Sequence, residues 1–212
     1  MQLFTAALLG VLAPALATPP PVTTSNGFHL LLVSQDASPP ARSLSMIHTG
    51  AGQSLAVAAD LGSSDIVFYQ NATEGGSTLA TDILPQGFPM SFAFQQDSDV
   101  EGAGHVFPVD VTVSDATKGI SVSEEEYDPW VVYSGGGHFF VCDQFVEYYH
   151  KDYKVLNWGS GEDGGEECER VGVIPVCEEL EDLPDDAIGN HDSVEKVRCF
   201  VDDQSASQST RS

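Results

Sequence analysis

The sequence predicts an all-β fold, either an antiparallel β-sandwich or a β-barrel, held by two disulfides. Apolar segments of strand length recur about every ten to fifteen residues, as they do in all-β domains. Gly, Pro, Asp and Ser separate these segments, and none of them shows the sustained periodicity of an amphipathic helix. Four cysteines, an even number, fit two disulfide bridges formed in an oxidising compartment.

Residues 1–17 have the features of a secretory signal peptide. Residues 3–12 are apolar but too few to span a bilayer, and Ala15 and Ala17 give the small-x-small pattern that precedes a cleavage site. The segment departs from the usual pattern because no Lys or Arg precedes its apolar core. We predict cleavage after Ala17, a Pro-rich linker over residues 18–27, and a secreted, extracellular location for the released chain.

A single β-rich domain is predicted over residues 28–203. Its main expected strands, in chain order, are residues 28–33, 44–48, 55–59, 66–69, 90–94, 105–113, 130–133, 138–145, 155–158 and 171–174. Residues 105–113 alternate most clearly, because Phe107, Val109, Val111 and Val113 fall on one face. The segments 55–59 and 66–69 flank a Gly-Ser-Ser-Asp turn, which predicts a hairpin between them.

The C-terminal part is expected to be irregular. Residues 178–195 are rich in Asp and Glu and poor in apolar side chains, which predicts an acidic loop within the domain. Residues 204–212 are mostly small and polar, and we expect them to form a disordered tail.

The net charge excludes two classes of partner. The chain has 32 acidic and 8 basic residues, a formal charge of −24, and 22 of the acids lie between Glu124 and Asp203. Such a charge repels nucleic-acid phosphates and anionic membranes, so we expect neither as a partner. The remaining interpretations are a solvated exterior and a surface that binds cations or polycations.

The cysteines lie at positions 142, 168, 177 and 199, and three pairings are possible. We favour Cys142 with Cys168 and Cys177 with Cys199, because sequential pairing closes two moderate loops. Each bridge is expected to stabilise the fold by about 3 kcal/mol. A zinc site is the alternative, but the chain has no CxxC motif and its His residues are scattered. We expect neither a metal nor a cofactor there.

Two further modification or ligand sites are considered. Asn71 begins the sequon Asn-Ala-Thr and is predicted to carry an N-glycan at a turn that follows a strand. Asp97, Asp99 and Glu101 precede a Gly, as in the start of a calcium loop, but Pro108 stands where that loop needs a Glu. A polar hairpin loop explains the same pattern.

Carboxylates within apolar strands are candidate catalytic acids. A glycan hydrolase needs two carboxylates that face each other across a cleft, and the candidates are Asp110, Asp128, Asp143 and Glu147. The alternative is that they face solvent. The chain lacks the GxSxG and HExxH motifs, and no catalytic residue can be assigned.

Aromatic residues form a second candidate site, one for binding a ligand. A stacking platform for sugar rings is one interpretation of five aromatic residues, and core packing is the other. These residues are Trp130, Tyr148, Tyr149, Tyr153 and Trp158.

A family resemblance rests on three short motifs. Phe139 to Asp143 reads F-F-V-C-D, residues 155–159 read V-L-N-W-G, and Cys168 opens a further apolar segment. In these motifs the chain resembles small secreted proteins of filamentous ascomycete fungi that share a β-rich domain of unknown function. The resemblance covers residues 26–176, implies an extracellular β-protein and supports the pairing of Cys142 with Cys168. It carries over no catalytic residue, and the acidic segment after Cys177 departs from the pattern.

We therefore expect a secreted, acidic, non-enzymatic β-protein that binds an extracellular glycan or protein. The alternative is a secreted carbohydrate-active hydrolase that uses paired carboxylates. Calcium-dependent adhesion through residues 97–102 is a third hypothesis.

Overall fold

A computed structural model describes residues 20–35, 39–84, 87–94, 106–114 and 116–209. In these ranges the chain forms strands β1 to β15, a 3-10 turn and one short helix, α1. Their bounds are β1 Val22–Ser25, β2 Gly27–Ser34, β3 Arg42–Gly50, β4 Gln53–Ala59, β5 Phe68–Thr73, β6 Gly76–Ile83, β7 Phe88–Phe94, β8 Val106–Thr112, β9 Ile120–Val122, β10 Val131–Tyr133, β11 His138–Val146, 3-10 turn Glu147–Tyr149, β12 Lys151–Gly159, β13 Cys168–Glu178, β14 Val194–Glu195, β15 Val197–Phe200 and α1 Asp203–Ser209. The predicted signal peptide, residues 1–17, lies outside the described residues.

The all-β prediction is confirmed, and the pairing of the strands closes into a barrel. Eight strands form a ring in which every neighbouring pair is antiparallel, in the order β13, β2, β5, β6, β7, β8, β12, β11 and back to β13. Closure leaves these strands with partners on both edges.

The hairpin of β3 and β4 departs from this ring. β2 pairs with β5 at Phe28 and with β3 at Leu31 and Leu32, so β3 and β5 separate from the same edge of β2. β4 pairs with β3, β8 and β12 but not with β5. The predicted hairpin between residues 55–59 and 66–69 is therefore wrong, because β4 forms its hairpin with β3 and β5 forms its hairpin with β6.

The main core fills the interior of the barrel. In β2, Phe28, Leu30 and Leu32 point inward, and in β8 Val109 and Val111 do the same, as the alternation of residues 105–113 predicts. The two-stranded ribbon of β9 and β10 adds three apolar side chains to this core. They are Ile120, Val122 and Val131.

A second, smaller core lies on the outside of β2 and β13. Its members are Leu31, Val33, Ile174, Val176, Phe200 and Ala206. Ala206 belongs to α1, and Val22 of β1 packs against the same cluster. The prediction of a linker over residues 18–27 is therefore wrong from Val22 onward, and the prediction of a disordered tail is wrong for residues 204–209. Residues 210–212 lie outside the described residues.

Helix α1 begins with a side-chain cap. The backbone N–H of Ser205 donates to Oδ1 of Asp202 at 2.7 Å, which satisfies one of the free amides of the first turn. This hydrogen bond holds the pKa of the Asp202 carboxyl below its usual value. The helix packs on the barrel wall, because its buried Ala206 joins the second core on β2 and β13.

The two disulfides join the predicted cysteines. Cys142 on β11 pairs with Cys168 on β13, and Cys177 on β13 pairs with Cys199 on β15. The first links two strands of the ring, and the second fastens the C-terminal segment to it. Between these anchors, residues 179–193 carry no helix or strand.

In the described ranges no helix has the length and apolarity needed to cross a membrane.

Candidate functional site

The hairpin of β11 and β12 presents aromatic side chains at its tip. Its last rung pairs Val146 with Lys151, and the 3-10 turn Glu147–Tyr149 joins the two strands. His150 closes this turn with a left-handed φ of 49°, and its backbone N–H donates to the carbonyl oxygen of Glu147. The turn leaves Tyr148 58% exposed and Tyr149 40% exposed.

The aromatic rings at the tip touch one another in a chain. The ring centroids of Tyr148 and Tyr149 are 5.0 Å apart, and those of Tyr149 and Tyr153 are 5.6 Å apart. His48 of β3 extends the chain, with its ring 6.0 Å from that of Tyr148. We call Tyr148, Tyr149, Tyr153 and His48 the tyrosine tip.

The rings of the tyrosine tip are crossed, not coplanar. Their interplanar angles are 89°, 68° and 62° in the order of the chain of contacts. Crossed rings do not form one flat surface, and they offer separate faces and edges to a ligand. The geometry therefore suits a short soluble saccharide or a protein loop better than a flat polymer surface.

Of the five aromatic residues predicted to form a platform, only three meet here. Trp158 lies in the core, where its ring stacks on Phe94 at 4.8 Å and its indole N–H donates to the carbonyl oxygen of Gly136. Trp130 precedes β10, on a different element. The alternation of β12 explains the difference, because Trp158 and Leu156 face inward and Tyr153 faces outward.

An apolar patch lies on the outside of the barrel beside the tip. Val57, Val146 and Val155 are buried there, and the partly buried apolar side chains that pack against them are Ile47, Leu55 and Tyr153. In the described part of the chain, all six come from the same wall, strands β3, β4, β11 and β12. We call these six residues the outer patch.

Polar side chains flank the outer patch. The side chain of Asn157 is fully buried, accepts a hydrogen bond from Nε2 of Gln144 and donates one to the carbonyl oxygen of Val155. Asp110 pairs with Leu55 across β8 and β4, and burial raises the pKa of its carboxyl.

The four candidate catalytic acids lie on separate elements. Asp110 is on β8, Glu147 is in the 3-10 turn, and Asp128 is in the connection between β9 and β10. Asp143 forms an exposed ion pair with Lys154, with N···O of 2.9 Å. None of the four lines the cavity of about 760 Å³ beside His29 of β2.

A cavity of about 760 Å³ opens where β3 and β5 separate from β2. Six carboxylates line it, together with His29. They are Asp65, Asp82, Glu178, Glu179, Glu181 and Asp203. Six apolar side chains line it as well, namely Met46, Ile66, Val67, Leu84, Leu180 and Leu183. No Lys or Arg is among the lining residues. We call this cavity the acidic cleft.

His29 lies between two carboxylates of the cleft. Its Nε2 is 2.6 Å from Oδ1 of Asp203, and its Nδ1 is 3.5 Å from Oε2 of Glu178. These contacts join β2 to α1 and to the end of β13. They also show that the cleft already holds one nitrogen base between two carboxylate groups.

A buried cluster fixes the segment that walls the cleft. The hydroxyl of Tyr69 donates to Oδ1 of Asp82 at 3.0 Å, and Nε2 of His191 lies 2.8 Å from Oδ2 of the same carboxylate. Burial and the Asp82 charge raise the pKa of Tyr69, so its hydroxyl remains protonated. Both oxygens of Asp82 are therefore engaged, and this acid is not available for proton transfer to a ligand.

Asn71 lies within β5 and not at a turn after it. The strand continues to Thr73, and Asn71 pairs with Thr78 of β6 and with Val194 of β14. Its residue is half-buried, and its Oδ1 is buried with no hydrogen-bond partner among the described residues. The predicted turn begins after Thr73. The predicted calcium residues, Asp97, Asp99 and Glu101, lie outside the described residues.

Sequence reasoning did not single out the residues of the acidic cleft or of the buried cluster. Tyr69 and Asp82 belong to neighbouring strands, and His191 lies more than a hundred positions further along the chain. A carboxylate within the otherwise uncharged strand Gly76–Ile83 was a signal for Asp82. No local pattern points to His191.

Comparison with known proteins gives one family and one relative. The profile of a family described as "Domain of unknown function (DUF7907)" matches residues 25–177. "Antigenic protein SchS34" of Stachybotrys chartarum is 30% identical over 207 residues, which cover 86% of this chain and 89% of that protein. No solved structure matches the chain. The matched range agrees with residues 26–176, over which the sequence motifs indicated a family of unknown function.

Proposed function

We propose, from the premise that the chain belongs to the family described as Domain of unknown function DUF7907, that it is a secreted fungal protein without enzymatic activity. Its function is to bind a saccharide through the tyrosine tip. The observation that carries the proposal is the exposed contact chain of Tyr148, Tyr149 and Tyr153 beside the outer patch.

The chemistry of the tip suits an uncharged ligand. Tyrosine offers a ring face for the C–H groups of a sugar and a hydroxyl for its polar groups, with few rotatable bonds to order. Residues 143–154 carry two lysines and three acids, a net charge of −1, in a chain whose net charge is −24. A neutral saccharide loses nothing to charge repulsion at such a surface.

The extracellular part of the proposal rests on other observations. Two disulfides are expected in an oxidising compartment, and the relative from Stachybotrys chartarum is named as an antigenic protein. Residues 1–17 have the pattern of a signal peptide, and Asn71 begins a sequon for a glycan. N-terminal sequencing of protein from the culture medium should give Thr18. A start at Met1, or recovery only from cells, contradicts secretion.

Binding is tested on a glycan array with the purified mature protein, with calcium present and with a chelator. We expect retention on one class of short saccharide, unchanged by the chelator. The double variant Tyr148→Ala/Tyr149→Ala should weaken this binding by about tenfold or more, because two ring contacts are lost. Loss of binding in the chelator would instead support the calcium hypothesis for residues 97–102.

The matched control is Tyr127→Ala. Tyr127 is as exposed as Tyr148 but lies in the connection between β9 and β10. It should leave both the binding and the melting temperature unchanged. An array without specific binding, or equal losses in the tip and control variants, overturns the saccharide proposal and favours a protein ligand.

A further inference from the structure

We propose that the acidic cleft binds an organic cation that carries an apolar body, such as a lipophilic amine or a basic side chain on an apolar peptide. The site is separate from the tyrosine tip, and the inference does not depend on the saccharide proposal. It rests on the volume of the cleft, on its charge, on its apolar lining and on the contacts of His29 with two of its carboxylates.

The first step is the charge of the cleft. Its lining contains six carboxylates and no Lys or Arg. Glu178 and Asp203 contact His29, whereas Asp65, Glu179 and Glu181 have no basic partner in the described part of the chain. The ion pairs of Lys and Arg are formed at other places, for example between Arg42 and Glu169. The cleft therefore has negative charge that the chain itself does not neutralise.

The second step excludes a bare metal ion. A calcium or magnesium ion needs several oxygen ligands that converge on one point. Among the described residues, no group of three or more His, Cys, Asp or Glu side chains is placed to hold a metal. The carboxylates are spread around a cavity of about 760 Å³, which is the size of a site for an organic molecule.

The third step is the apolar lining. Met46 and Ile66 belong to the edge of the main core, and Leu84 is 55% exposed at the mouth of the cleft. Leu180 and Leu183 line the opposite side, in the segment that follows β13. An apolar body gains free energy by covering these side chains, and a hydrophilic polyamine does not.

The fourth step is a nitrogen base that the cleft already holds. His29 lies between two carboxylates of the lining, with its Nε2 2.6 Å from Oδ1 of Asp203 and its Nδ1 3.5 Å from Oε2 of Glu178. The cleft therefore already shows the nitrogen-to-oxygen contact that an organic cation would make with its remaining carboxylates.

The test is isothermal titration of the full mature protein with octylamine. We expect saturable binding at one site per chain. Octanol and octanoate are the matched probes, because they keep the apolar chain but carry no charge or the opposite charge, and both should bind at least about tenfold more weakly. Spermidine, which has charge without an apolar body, should also bind weakly.

Two pairs of variants locate the site. Glu179→Gln/Glu181→Gln removes two exposed carboxylates of the cleft and should weaken octylamine binding by about tenfold. Glu124→Gln/Glu125→Gln removes two exposed carboxylates near β9 and should have no effect. Leu84→Ser tests the apolar lining and should also weaken binding. Melting curves report whether each variant is folded.

Three results would overturn the inference. They are equal weakening in both pairs of variants, binding of octanol as tight as that of octylamine, and no saturable binding of any probe. The capped peptide Ac-Leu-Arg-Leu-NH2 distinguishes the two sources of the cation. Binding of the peptide and of octylamine supports a free amine or a basic side chain, and binding of the peptide alone supports a protein partner. The variant Tyr148→Ala/Tyr149→Ala should retain octylamine binding.

Discussion

Two outer faces of the same barrel are finished in different ways. On the face of β2 and β13, the apolar side chains that point outward are covered by β1, β15 and α1. Ala206 of α1 is completely buried in this contact. On the face of β4, β11 and β12, the outer patch has apolar neighbours only from its own wall in the described residues. A strand with apolar residues on both faces needs a second layer. The chain supplies that layer with β1, β15 and α1 on one face, and on the other face Ile47, Leu55 and Tyr153 pack against the buried Val57, Val146 and Val155.

The charge follows the same division. Residues 178–193, which run from the covered face to the acidic cleft, contain seven acids and no Lys or Arg. Residues 143–154, at the tyrosine tip, are nearly neutral. The family match ends at residue 177, before this acidic segment and before the covering elements β15 and α1. The two faces therefore offer different chemistry to a ligand.

The largest effect is expected from the disulfide between Cys177 and Cys199, which closes the segment of residues 179–193. The double variant Cys177→Ala/Cys199→Ala should lower the free energy of unfolding by about 3 kcal/mol, because it opens a loop of 22 residues. Urea denaturation measures this change. Cys142→Ala/Cys168→Ala should cost a similar amount, but only the first variant should make residues 179–193 sensitive to proteolysis. Equal protease sensitivity in both variants would show that the disulfide between Cys177 and Cys199 does not hold residues 179–193 in place.

The next effect is expected from the buried cluster. Asp82→Ala leaves the hydroxyl of the fully buried Tyr69 without its acceptor and should lower the free energy of unfolding by about 2 kcal/mol. The matched control, Asp143→Ala, breaks an exposed ion pair with Lys154 and should change it by less than about 1 kcal/mol. Urea denaturation measures both, and equal losses would contradict the anchoring role of Asp82.

A smaller effect is expected from the cap of α1. Asp202→Ala should lower the melting temperature, because the N–H of Ser205 loses its acceptor. The folded pKa of Asp202 lies below the unfolded one, so the cap stabilises the fold above the ordinary aspartate pKa. This contribution is lost as the pH falls through the lowered pKa. Melting curves of both proteins should therefore differ at neutral pH and converge in strong acid.

The smallest effect is expected on the uncovered face. Burial raises the pKa of Asp110, so its charge opposes folding once the pH exceeds the ordinary aspartate pKa of about 3.9. Asp110→Asn should raise the melting temperature slightly at neutral pH, and the gain should vanish near pH 4. A gain that is independent of pH would show that ionisation of Asp110 is not its cause.

The local patterns predicted ten of the strands but missed β1, β6, β9, β14 and β15, and they did not predict the partners. The alternation of Phe107, Val109 and Val111 indicated β8 correctly, because period-two patterning is a property of one strand. The pairing of β4 with β8 and β12 was not predictable, because it joins segments that are far apart in sequence. The same reason explains why β1 was expected to be a linker, since β1 pairs with β15, near the other end of the chain.

The candidate sites were predictable in part. Tyr148, Tyr149 and Tyr153 are close in sequence, and the hairpin brings them together as a platform of aromatic residues would require. The acidic cleft was not predictable, because its lining comes from six separate stretches of the chain. The high acidic content of residues 178–195 indicated charge, but only the departure of β3 and β5 from β2 creates the cavity beside it.

The seam of the barrel determines when the chain can finish folding. β2 pairs along its whole length with β13, and Val22 of β1 pairs with Phe200 of β15. A ribosome makes β1 and β2 first and β13 and β15 last, so the apolar side chains of β2 wait for partners about 140 positions away. Contacts of such high order slow folding and leave apolar strands open to aggregation in the meantime. The barrel therefore cannot close until its last strands have been synthesised. The yield of folded protein should depend on how well the unfinished chain is protected until then.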